Sequence, residues 1–174
     1  MSDKELVERS VALLNLCKQK KLTLATAESC TGGLLAATLT EIAGSSMVVD
    51  RGFVTYTNAA KQQMLGVTPN TIDVYGAVSK ECAEEMAKGA LAHAQTDLAI
   101  SITGIAGPTG AVPGKPIGLV HFAGASRSGR IINRDRKFGD IGRVNVRRAS
   151  VVEALAMLME LAEKEEPHPP AEGE

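Results

Sequence analysis

Asp97-Leu98-Ala99-Ile100-Ser101-Ile102-Thr103 is an apolar run of strand length, interrupted only by Ser101. Alternating apolar and polar residues would place one strand face in water. A nearly continuous run instead predicts a strand covered on both faces, as in a sheet held between helical layers. The flanks agree with that arrangement. Upstream, Ser79 is placed to cap a helix over Lys80 to Ala94, where Cys82, Met86 and Leu91 with several alanines form an apolar face. Downstream, a glycine- and proline-rich loop, Gly104 to Pro116, precedes two strands, Ile117 to Ala125 and Arg130 to Phe138, joined as a hairpin at Arg127-Ser128-Gly129.

The remaining elements follow from the same periodicities. Leu6, Val11, Leu13, Leu14 and Leu16 predict an amphipathic helix between Ser2 and Lys20, and Leu22 to Thr26 a short strand. Leu34 to Ala43 reads as a helix stopped by Gly44, and Phe53 to Thr57 as a strand. Asn58 is placed to cap a short helix, Ala59 to Leu65, and a final helix is expected over about Arg143 to Lys164. The order α-β-α-β-α-α-β-β-β-α predicts a three-layer α/β/α sandwich around a mixed, mostly parallel five-stranded sheet, since a hairpin forces an antiparallel pair. Residues 1–165 read as one domain and residues 166–174 as a disordered tail.

With 174 residues and 44% apolar content, the chain can bury a core without disulfides or a structural metal. Its net charge of −1 argues against a general grip on nucleic acid or anionic membrane. Between Arg127 and Arg148, however, eight Lys/Arg face two Asp/Glu, a basic patch suited to a phosphate-bearing small molecule or to a solvated strand edge. Cys17, Cys30 and Cys82 match neither a disulfide framework nor a metal-binding pair, which points to a reducing cytoplasm and no metal. No apolar run approaches the roughly 20 residues of a membrane span.

Two loops at strand ends carry the candidate chemistry, and sheets of this kind bind ligands at such ends. Thr26-Ala27-Glu28-Ser29-Cys30-Thr31-Gly32-Gly33 offers two nucleophiles, Ser29 and Cys30, with backbone N–H groups over Cys30 to Gly33 that suit an oxyanion. Helix capping by Ser29 or Thr31 accounts for the same residues. Histidines make poor bases here: His93 is near a helix end, His121 mid-strand and His168 in the tail. Tyr56, Asn58 and Lys61 form a polar cluster at another strand end, and a lysine serves as base at neutral pH once burial lowers its pKa. A solvated surface lysine is the commoner reading of such a residue. Thr103-Gly104-Ile105-Ala106-Gly107-Pro108-Thr109-Gly110 lacks both P-loop and dinucleotide spacing. Arg143 and Arg147, four apart on a helix, are placed to hold one phosphate.

The stretches AESCTGG, RGFVTYTNAAKQQMLGV, YGAVS, SITGIAGPTG and KPIG, in that order, resemble the CinA C-terminal-domain family, the nicotinamide-nucleotide amidohydrolases, from about Val7 to Met159. The resemblance implies a cytoplasmic, metal-free, homodimeric enzyme without cofactor. Such an enzyme converts nicotinamide mononucleotide into nicotinic acid mononucleotide and ammonia, in pyridine-nucleotide salvage. It selects Ser29 as nucleophile, Lys61 as base and Tyr56 as a supporting polar group, with Cys30 to Gly33, Asn58, Thr103, Gly104, Arg143 and Arg147 around the substrate. Two positions depart from the family pattern: two residues are inserted within Gly139-Asp140-Ile141-Gly142-Arg143, and Ala111 stands for a frequent glycine. Two other functions fit the same pocket: a non-catalytic nucleotide-binding module acting through protein partners in competence or DNA-damage response, and a general esterase or amidase.

Overall fold

The structure, a computed structural model, describes residues 3–168. Its elements are α1 (Asp3–Lys20), β1 (Leu24–Glu28), α2 (Leu34–Thr40), a 3-10 turn (Ser45–Met47), β2 (Val49–Val54), α3 (Asn58–Leu65), α4 (Pro69–Tyr75), α5 (Lys80–Ala94), β3 (Leu98–Gly104), β4 (Leu119–Ser126), β5 (Ile131–Lys137) and α6 (Arg143–Lys164). The five strands form one sheet in the order β2-β1-β3-β4-β5. β1 runs parallel to β2 and β3, and β4 antiparallel to both of its neighbours, so four of the five strands point the same way and β4 alone is reversed, the mixed and mostly parallel sheet expected.

The apolar run Leu98 to Thr103 lies in β3, at the centre of this sheet. Leu98, Ile100 and Ile102 of β3 face a cluster with Leu13, Leu14, Leu35, Leu155 and Leu158, which belong to α1, α2 and α6. Ala99, on the opposite face, packs with Met86, Ala90 and Leu65 of the α3 and α5 layer. Burial on both faces is the physical reason for the unbroken apolar pattern.

Several boundaries differ from expectation, and each has a local cause. β2 covers Val49–Val54 rather than Phe53 to Thr57, because Thr57 leaves the ladder to cap α3, its hydroxyl accepting from Ala60 N. Thr57, not Asn58, is therefore the cap. α2 stops at Thr40, ahead of Gly44, which opens the 3-10 turn. α4 was not anticipated; Thr68 caps it and Pro69 occupies its first turn, where a missing N–H costs nothing.

The two ends of the described chain are tied at opposite ends of the sheet. Asp3 pairs with Arg148 near the start of α6. At the other end, before β1 and β3 begin, Asp97 accepts hydrogen bonds from Thr23 N, Arg127 and the His168 ring. Residues 166–168 of the expected tail are thus held by contacts such as that of Arg127 with Glu166 O, and 169–174 lie outside the described residues.

Candidate active site

The loops that follow β1 and β3 meet in an open cleft of about 190 Å3. It is lined by Ser29, Cys30, Tyr56, Gly104, Ile105, Ala106, Gly107, Thr109, Gly110 and Arg143. Parallel strands deliver the two loops to the same edge of the sheet, with Glu28 paired to Ile102.

The turn after β1 is tightly specified. Ser29 N donates to Ile102 O at 2.9 Å, Gly32 N to Ser29 O at 3.0 Å and Leu34 N to Thr31 O at 3.1 Å. Gly32 and Gly33 carry φ values of 58° and 98°, conformations that a side chain would strain. Ser29 is buried but reaches the cleft. Cys30 packs into the core cluster, and burial pushes its thiol up to about 12, so a thiolate does not form near neutral pH.

α3 carries the second group. Lys61 is 1% exposed, and its Nζ donates to Ser29 Oγ at 2.8 Å, to Thr55 O at 2.8 Å and to Tyr56 O at 3.5 Å. Loss of hydration holds its pKa below the ordinary lysine value, opposed in part by the Cys82 and Cys30 thiols. Tyr56 turns its ring outward, 57% exposed, and its OH accepts from Arg143 Nη2 at 2.6 Å. Arg143 Nη1 donates to Gly107 O at 2.9 Å, so one guanidinium ties the rim of the cleft to its floor loop.

The structure therefore brings together Ser29, Cys30, Lys61, Tyr56, Gly104 and Arg143. Other expected contacts fall elsewhere. Thr103 is buried and spends its hydroxyl on Ala77 O at 2.8 Å, facing away from the cleft. Asn58 is exposed in the first turn of α3 and does not line the cleft. Arg147 does not share a ligand position with Arg143; its Nη2 donates to Thr31 O at 2.8 Å, behind the turn. Thr31, Gly32 and Gly33 shape the turn without lining the cleft, and the Gly32 N–H is already used by Ser29 O. Ile105, Ala106, Thr109 and Gly110 were not singled out, although the glycine-rich loop containing them was the available signal. Among the described residues no His/Cys/Asp/Glu cluster has the geometry of a metal site, and no helix is long and apolar enough to cross a membrane.

A three-layer sandwich with a serine and a desolvated lysine in contact at its strand ends is the class this geometry defines. The chain belongs to the CinA C-terminal domain family, whose pattern it matches over residues 5–162. It is 48% identical to the nicotinamide-nucleotide amidohydrolase PncC of Escherichia coli (strain K12), over 91% of this chain and 95% of that protein. A putative competence-damage inducible protein of Caldanaerobacter subterraneus is 43% identical over 91% of this chain, which spans only 37% of that longer relative. The crystal structure of the competence/damage inducible protein CihA from Agrobacterium tumefaciens superposes with a TM-score of 0.89 at 49% identity, covering 92% of this chain and 96% of that one.

Proposed function

We propose that this chain is an amidohydrolase that cleaves the carboxamide of nicotinamide mononucleotide, releasing ammonia and nicotinic acid mononucleotide in pyridine-nucleotide salvage. The observation that carries the reading is the contact of Lys61 Nζ with Ser29 Oγ at 2.8 Å, inside a desolvated pocket.

A neutral amine has two N–H bonds and one lone pair. With the carbonyls of Thr55 and Tyr56 taking the two hydrogens, the contact with Ser29 reverses on deprotonation, and the serine hydroxyl donates to the lone pair. Ser29 Oγ attacks the carboxamide carbon while its proton passes to Lys61. Among the N–H groups of residues 29–33, that of Cys30 belongs to a cleft-lining residue and makes no backbone hydrogen bond, so it is the donor for the developing oxyanion. Lys61 then returns the proton to the departing nitrogen, the C–N bond breaks with loss of ammonia, and water hydrolyses the acyl-serine ester. The pyridinium charge of the substrate disfavours a second cation beside it and helps keep Lys61 neutral.

Among the described residues that line the cleft, Arg143 alone carries a charged side chain and is the candidate for the phosphate. Exchanging its Tyr56 hydroxyl for a phosphate oxygen would give a stronger, charge-assisted bond. We further read residues 1–165 as one catalytic domain, active as a homodimer in the cytoplasm.

Purified protein is expected to release ammonia from nicotinamide mononucleotide without added metal. Ser29→Ala abolishes release and Cys30→Ala retains most of it. Loss of activity in Cys30→Ala alone would reverse the assignment of nucleophile.

A further inference from the structure

Glu28 directly precedes Ser29, is 1% exposed and has no part in the chemistry above. Its Oε1 accepts from Leu35 N at 2.8 Å and its Oε2 from Ala36 N at 3.0 Å, with Thr26 Oγ1 at 3.5 Å from Oε2. Desolvating a carboxylate costs several kcal/mol. Among the described residues its partners are N–H and O–H groups in the first turn of α2 and on β1, not cations.

The bonds span the turn. Residues 29–33 leave β1 and enter α2, and two of the five are glycines with positive φ, the residue type with most freedom to lose. Glu28 closes this segment by joining the last residue of β1 to the first turn of α2. It also consumes N–H groups at the start of α2, so the helix end is directed at Glu28 and the cleft-side donor comes from the turn itself. Ser29 is then held from one helical layer through Glu28 and approached from the other by Lys61. Arg147, through Thr31 O, braces the same turn from α6.

We infer that Glu28 is a positioning residue for Ser29: its two hydrogen bonds to α2 set the orientation of Ser29 Oγ and the Cys30 N–H relative to Lys61. The kcat arm of the test rests on the amidohydrolase reading; a second readout does not. A fluorophosphonate probe reports Ser29 directly, since Oγ forms the P–O bond, fluoride leaves and the proton goes to Lys61.

Two variants separate reach from charge. Glu28→Gln keeps the length and a carbonyl acceptor but loses the charge; Glu28→Asp keeps the charge but withdraws from both N–H groups. Positioning predicts that labelling and kcat fall roughly 10-fold in Gln and about 100-fold in Asp, with KM little changed, the range that small misplacements of reacting groups produce. The reverse order, with Asp closer to wild type, would assign a long-range charge effect and overturn the inference; so would wild-type rates in both, or a wild-type protein that the probe does not label. A purely structural role would lower Tm without slowing labelling at temperatures well below it. Should neither variant fold, Ala36→Pro removes one donor at a first-turn position that tolerates proline, and unchanged labelling there overturns the inference. Wild-type protein that labels but releases no ammonia removes the amidohydrolase reading while the labelling order still decides the role of Glu28.

Discussion

Lys61 is a residue whose environment does more than its type. Among the described residues, its Nζ meets one serine and two carbonyl oxygens and no carboxylate. Lys61→Met, close in length and without the amine, is expected to lower kcat by roughly 10^3-fold, a typical share for a general base. Activity should rise with pH through the Lys61 value, which burial moves below the ordinary lysine range. The sign for stability follows: between the lowered value and the ordinary one the unfolded chain holds a proton that the folded chain lacks. This group's contribution is therefore greatest above the ordinary value and is lost as pH falls. A pH–rate profile whose acid limb survives in Lys61→Met would detach that limb from the lysine. Ser29 and Lys61 were legible as candidates because a hydroxyl at a strand end and a lysine one turn into the next helix are local features. The choice of Ser29 over Cys30 came from the family resemblance and not from spacing, since it depends on which side chain the core covers. Thr103, Asn58 and Arg147 fell outside the cleft for the same reason: spacing places a residue at a strand end but not the direction of its side chain.

At the scale of the element, α3 is tightly constrained, because it seats Lys61 against the turn after β1. Its C-terminal end rests on Gly89 of α5, where an added Cβ would lie 1.9 Å from Leu65 O. Alanine usually favours a helix interior over glycine by roughly 0.5–1 kcal/mol. Here close approach wins: Gly89→Ala is expected to cost about 1–3 kcal/mol, as overpacking does. It should also lower kcat by lifting α3 and Lys61 from Ser29. Thermal unfolding and steady-state kinetics check this, and a variant with unchanged kcat would show that the seat of α3 does not set the contact. Most elements were readable because their apolar periods are long. α4 was not, since seven residues, PNTIDVY, carry too few apolar positions to show a period; only the capping pair Thr68-Pro69 marked it. At the end of β2, Val54, Thr55 and Thr57 have the branched side chains of a strand, and a cap at Thr57 overrode that preference.

At the scale of the whole molecule, chemistry and anchorage occupy opposite ends of the sheet. The anchorage is a polar knot: Asp97 joins Thr23, Arg127 and His168, while Lys20 Nζ donates to the carbonyls of Ala162, Glu163 and Glu165 at 2.8, 2.8 and 2.9 Å. Burial alone would raise the Asp97 pKa, but the Thr23 N–H, Arg127 and His168 outweigh it and hold the carboxyl below its ordinary value. Its contribution is present above the ordinary carboxylate range and lost as pH falls through the lowered value. Asp97→Asn should cost about 2 kcal/mol, since it weakens the charged hydrogen bonds on a buried carboxylate while Arg127, at the surface, keeps Glu165 as a second partner. It should also flatten the acid side of a stability–pH curve from urea unfolding, while kcat well below Tm stays near wild type. A large kcat loss at equal foldedness would link the two ends of the sheet.

The same polarity governs how the protein can be tethered. Asp3 meets Arg148 on the helix whose first residue, Arg143, lines the cleft, whereas His168 meets Asp97 at the far end of β3. A surface or fusion partner attached through the C-terminal side therefore stands behind the sheet and leaves the mouth clear. Anything attached ahead of Asp3 instead starts beside Leu34 and Arg148, at the sheet end that carries the cleft.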